Sequence, residues 1–283
     1  MSLTTLLVLA DGRLPAGGHA HSGGLEAAVS AGRVSDLGSL EGFLRGRLAT
    51  AGLVAAAFAA AACARVVDNH RFLSDPPVFL APPSPGWGRS VAGQGRSVAG
   101  PGRSVTGPVD GPAKLSDPAV SVAPPSSGRG RSVDNLSVLD EALDARTPSP
   151  ALRRASRAQG RALLRAGRAM WPLPDAGLGR EPHHPVALGV VAAAAGLTPR
   201  DAAVAAAYGS LTGPATAAVR LLGLDPYGVH ALLATLAADS DEIADEAAAR
   251  ANDQVDDLPA ASSPLLDLGA EHHATWEVRL FAS

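Results

Sequence analysis

Six of the eight histidines come in close pairs, His19/His21, His183/His184 and His272/His273, and these pairs are the residues best suited by type and spacing to chemistry. An imidazole pair one residue apart is a possible chelate for nickel, zinc or copper. Adjacent histidines are poorer, because neighbouring side chains on a helix or strand diverge. A metal centre would need two pairs to converge, with Glu26 or Glu271 as possible carboxylate ligands, and nothing in the sequence selects that arrangement. The first pair lies within LPAGGHAHSGGLE, residues 14 to 26, which also holds four glycines. Pro15 fixes φ at the start of a turn, the two glycine pairs permit positive φ, and Ser22 can cap a helix beginning near Leu25. Backbone N–H groups in such a loop can hold an anion, but only Arg13 stands near to help.

Several chemistries are excluded. The single lysine, Lys114, lies in a low-complexity stretch, so the chain has no phosphate-binding GxxxxGK[ST] loop. GxGxxG, GxSxG and HExxH motifs are also missing. The lone Cys63 rules out an internal disulfide framework, fits a reducing compartment, and in its alanine-rich surroundings reads as core. No catalytic residue and no cofactor site emerge. With a net charge of -3 and a pI near 6.2, the chain has no general attraction to nucleic acid or an anionic membrane. The apolar run near the start has no basic residues before it, which argues against a signal peptide. The alanine-rich run 51 to 64 reads as too short and weakly apolar to span a bilayer, so a cytoplasmic protein is expected.

The elements that must position these residues are helical. Outside residues 72–135 the apolar pattern has helical period and no strand alternation persists. Hydrophobic residues make up 46% of the chain but aromatics only 4%, so the core must come from alanine, leucine and valine on closely packed helices. Ser35 and Asp36, Ser149-Pro150, Thr198-Pro199-Arg200-Asp201 and Asp225-Pro226 read as helix starts; Gly196, Gly223 and the Trp171–Pro174 stretch read as stops. The expected fold is an all-α single-domain bundle of about eight to ten helices, formed by residues 1–71 and 136–283. Residues 72–135 form a Pro/Gly/Ser/Arg-rich insertion, expected to be disordered. Within it GRSVAGQ, GRSVAGP and GRSVTGP follow in tandem, and LSDPPV and APPSPGWGRSV return as LSDPAV and APPSSGRGRSV 42 residues later. On the helix from 151 to 170, Leu152, Ala155, Ala162, Leu163, Ala166 and Met170 share one arc, with Leu164 outside it. Arg153, Arg154, Arg157, Arg161, Arg165 and Arg168 fall opposite, either as a solvated face or as a docking face for an acidic surface. The acidic run 239 to 257 is available to pair with them.

Four ordered blocks resemble the UreF-type urease accessory proteins. The opening LLVLADGRLPAGGHAHSGGLEAAVSAGRV is similar to that family's signature. LDEALDARTPSPALRRASRAQGRALLR and HHPVALGVVAAAAGLTPRDAAVAAAYGSLTGPATAAVRLLGLDP are similar to its central blocks, and PLLDLGAEHHATWEVRLFAS to its closing tail. The resemblance implies an all-α homodimer with no reaction of its own. It implies partners in accessory protein D (H in some species), the GTPase accessory protein G and apo-urease, with nickel delivery as the outcome. It assigns partner binding to Leu14, Pro15, Gly17, Ser22, Gly24, Leu25 and Glu26 in the first block and to Arg279, Leu280 and Phe281 in the last. Arg153, Arg157, Arg161, Arg165, Tyr208 and Arg220 are secondary candidates. The competing reading is a histidine-based metal-binding protein or enzyme using His19 and His21.

Overall fold

The alanine-rich sequence forms helices because alanine has the highest helix propensity, and its small side chain lets helices approach closely. In the computed structural model, residues 3–74, 135–174 and 177–282 are described, and among them there are eleven α-helical segments and no strand. These are α1 (Leu3–Ala10), α2 (Leu25–Ser30), α3 (Leu37–Arg47), α4 (Leu53–Ser74), α5 (Asn135–Ala145), α6 (Pro150–Met170), α7 (His184–Ala194), α8 (Pro199–Leu222), α9 (Pro226–Thr235), α10 (Ala237–Ala249) and α11 (Pro264–Ala274). A π-helical turn, Leu48–Gly52, joins α3 to α4 without a break, so ten separate helices result, in line with the expected count. At the edges of the expected insertion, residues 72–74 and 135 belong to α4 and α5; the expected disorder of the rest concerns residues 75–134, outside those described.

Most helix starts follow the expected caps. Asp36 accepts from Ser39 N at 2.8 Å while Ser39 Oγ accepts from Asp36 N at 3.1 Å, a reciprocal capping box. Thr198 and Asp201 make the same exchange at α8, and Asp225 caps α9. Gly196 and Gly223 stop their helices with φ of 74° and 64°.

The core centres on α4, which packs against α7, α8 and α10. Its Ala56–Ala62 stretch is fully buried around Phe58, and Cys63 continues it. Burial, reinforced by the charge of Asp201, pushes the Cys63 thiol up to about 12, so it stays protonated and inert. Gly189 of α7 sits so close to α4 that an added Cβ would lie 2.3 Å from the Ala59 carbonyl oxygen. A second cluster gathers Leu25, Leu40, Leu44, Leu211, Leu236 and Phe281 around α2, α3, α8 and α9.

One expectation is corrected. The continuous helix Leu37–Asp68 is long and apolar enough to cross a membrane by length and composition, its most apolar 18-residue stretch having a mean hydropathy of 1.8. Because 67% of that apolar stretch is buried within the protein, its hydropathy serves the core.

Candidate functional site

The first and last sequence blocks meet. Gly17, Gly23 and Gly24 all adopt left-handed backbone, with φ of 78°, 61° and 89°, and fold the chain from residue 14 back into α2. Gly24 itself stands at the N-cap and has no side chain to offer, so the capping role falls elsewhere. Ser22, the expected cap, takes it from two residues before the N-cap, its Oγ accepting from Glu26 N at 3.2 Å. This turn buries the Glu26 carboxylate, which collects three donors. Leu280 N donates to Oε1 at 2.9 Å, Phe281 N donates to Oε2 at 3.0 Å, and His273 places Nε2 2.8 Å from Oε2. Ala282 N adds a bond to the Ala20 carbonyl at 2.7 Å. Trp276 covers the clasp, its ring 4.7 Å from that of His273.

The loop is anchored from beneath by Arg47. Pro214 interrupts α8 and has no N–H to donate to the carbonyl four residues earlier, that of Ser210. Arg47 Nε donates to this orphaned oxygen at 3.1 Å, and Nη1 donates to the Gly23 carbonyl at 2.8 Å. One side chain thus satisfies the carbonyl that Pro214 leaves open and ties the glycine loop to α8. Burial pulls its guanidinium down to about 10, which leaves it charged at neutral pH.

A second polar cluster joins α5, α6 and the start of α7. His183 is fully buried; its Nδ1 lies 3.0 Å from Ser156 Oγ and its Nε2 2.7 Å from Asp144 Oδ1. Arg157 donates to Asp140 at 2.8 Å and to Asp144 at 3.0 Å, and Asp140 also accepts from His183 N at 2.6 Å. Desolvation holds the His183 pKa below its ordinary value against the pull of Asp144. His184 is pushed down to about 4 by burial and by the neighbouring His21. At the N-terminus of α6, Glu271 of α11 caps the helix, accepting from Ala151 N at 2.7 Å and from Ser149 Oγ at 2.5 Å.

The histidine pairs therefore go different ways. His183 and His273 are each committed to a carboxylate, His272 stacks edge-on against Trp276, and Glu26 and Glu271 are engaged as hydrogen-bond acceptors. The His19 side chain lies outside the described residues. Among the described residues no group of three or more histidine, cysteine, aspartate or glutamate side chains is placed to hold a metal ion.

The remaining candidates divide by exposure. Ser22, Gly24, Leu25, Glu26 and Phe281 are buried, Leu14 and Gly17 half-buried, and Pro15, Arg279 and Leu280 exposed. The buried members set the shape that the exposed ones present. On α6, Arg153 bonds the carbonyls of Thr147 and Pro148, and Arg157 and Arg161 pair with acids of α5 and with Glu181. Arg165 is exposed, as are Tyr208 and Arg220. Leu164 is buried beside Leu163, so the apolar arc of α6 is wider than its helical angles suggest. The acidic run pairs elsewhere: Asp239 meets Arg45 and Asp245 meets Arg200.

The model of the UreF family matches residues 118–237. A urease accessory protein UreF of Mycobacterium sp. (strain JLS) is 40% identical over 283 residues, covering 100% of this chain and 99% of that protein. The chain belongs to the urease accessory protein UreF family. The UreF of Mycolicibacterium vanbaalenii is 39% identical and that of Mycobacterium tuberculosis (strain H37Rv) 36%, each over 100% of this chain and 99% of its own length. Members of the UreF family are thus named as accessory proteins rather than as catalysts, and the similarity includes both blocks joined at Glu26.

Proposed function

We propose that this chain is a cytoplasmic scaffold in urease maturation, a homodimer that binds accessory protein D (H) and recruits the GTPase accessory protein G so that nickel enters apo-urease. Nickel is the cargo of the assembly, and the nucleotide chemistry belongs to the GTPase. The observation that carries this reading is the clasp. Glu26 unites two blocks that the family resemblance assigns to partner binding, and leaves Pro15, Arg279 and Leu280 exposed beside it. Arg165, Tyr208 and Arg220 are available for a second contact with D or G. The chain regulates the GTPase by holding it against apo-urease.

Co-purification and reconstituted urease activation test the proposal. Truncation of residues 276–283 abolishes activation, but it also removes the buried Phe281. The sharper variant is the double substitution Arg279→Ala with Leu280→Ala, which leaves the Glu26 bonds to main-chain N–H groups in place. It keeps the wild-type melting temperature and loses accessory protein D on co-purification. Full activation and full retention of D by that variant would sink the proposal.

A further inference from the structure

An open groove of about 490 Å³ runs between α2, α3 and the start of α11. Its walls are apolar, with Ala28, Val34 and Phe43 on one side and Leu265 and Leu266 on the other. Its charged residues are Arg33 and Arg47, and no acid lines it. Arg47 gives its hydrogen bonds to two neutral carbonyls, so its charge faces no carboxylate. The Arg33 guanidinium makes no hydrogen bond or ion pair with any of the described residues, and only its backbone N–H is engaged, donating to the Ala28 carbonyl. Gly42 and Gly46, one helical turn apart on α3, form the floor, and a Cβ added to either would meet nothing within 4 Å.

We propose that this groove receives an acidic amphipathic peptide segment of a partner protein, seating an apolar side chain between Phe43 and Leu266 and a neighbouring carboxylate against Arg33 and Arg47. Apolar walls supply burial without direction, whereas two cations with no anion opposite them select the sign of the ligand. The bare helical floor favours a peptide, because glycine lets a second backbone come closer than any Cβ would permit. The chemistry is read from the groove alone and does not depend on the role in urease maturation.

The test titrates two acetylated, amidated peptides into the full chain, followed by calorimetry and amide chemical shifts. One carries leucines at helical spacing with glutamates between them; the other has lysine in place of every glutamate. The glutamate peptide binds saturably, shifts the amides of Gly42, Phe43 and Gly46, and binds at least about tenfold more tightly than the lysine peptide. Gly42→Leu fills the groove from a helix-favouring position, so it weakens binding by at least about tenfold while the melting temperature holds or rises. Arg33→Ala weakens the glutamate peptide and leaves the lysine peptide unchanged. No saturable binding, equal binding of the two peptides, or undiminished binding by a folded Gly42→Leu variant would each overturn the proposal.

Discussion

Glu26 gathers three donors onto one buried carboxylate, and each loses its acceptor if that side chain is removed. Glu26→Ala is expected to lower stability by about 3 kcal/mol, the scale of stranding buried donors, as measured by urea denaturation. The freed tail then becomes cleavable by trypsin after Arg279, while Glu26→Gln, which keeps an acceptor, loses less. None of this was legible in LPAGGHAHSGGLE, because two of the three donors are main-chain groups that carry no residue signature. One signal was present, a carboxylate set between Leu25 and Ala27-Ala28, where burial demands a partner. A second prediction concerns pH. An unfolded imidazole titrates near 6.5, but burial beside His21 pushes His184 down to about 4. Below the first value the unfolded chain takes up a proton that the folded chain refuses, so stability falls with pH and levels off near the second. Melting temperatures measured from pH 7 to 4 are expected to show this decline, and His184→Asn to flatten it.

At the scale of elements, helix identity was readable because caps are local: Asp36, Ser149, Thr198 and Asp225 each announce the helix that follows. The continuity of α3 and α4 was legible as well, because the Asp36 cap opens an alanine-rich pattern that runs towards residue 70; the π turn within it leaves no composition mark. The function of individual glycines was hidden, because sequence does not say what faces them. Gly189 meets the backbone of α4, whereas Gly46 meets nothing within 4 Å. Gly189→Ala is accordingly expected to cost about 3 kcal/mol, at the upper end for overpacking. Gly46→Ala should gain about 0.8 kcal/mol from helix propensity alone. Thermal melts of the two variants should move in opposite directions. A Gly189→Ala variant as stable as the parent would mean that α4 and α7 are farther apart than described.

For the molecule as a whole, the all-α class and the course of the family blocks were legible because helical periodicity and block order are long-range patterns that survive substitution. The proposed separateness of the insertion follows from composition alone: valines scattered among glycine, proline, serine and arginine bury too little to offset chain entropy. Replacing residues 76–130 by a flexible linker of about ten residues should therefore leave the helical circular dichroism of the folded part unchanged. It should raise stability by about 1 kcal/mol through the shorter loop. A collapse of the melting transition would show that the segment contributes to the fold. The joining of the two ends at Glu26 also bears on how the chain is made. Leu280 leaves the ribosome 254 positions after the acid it satisfies. Until residues 273 to 281 have been made Glu26 is an acceptor without its donors, so the clasp closes only after that segment has emerged. A prematurely terminated product would carry an uncompensated carboxylate in an apolar site and would mark itself for degradation.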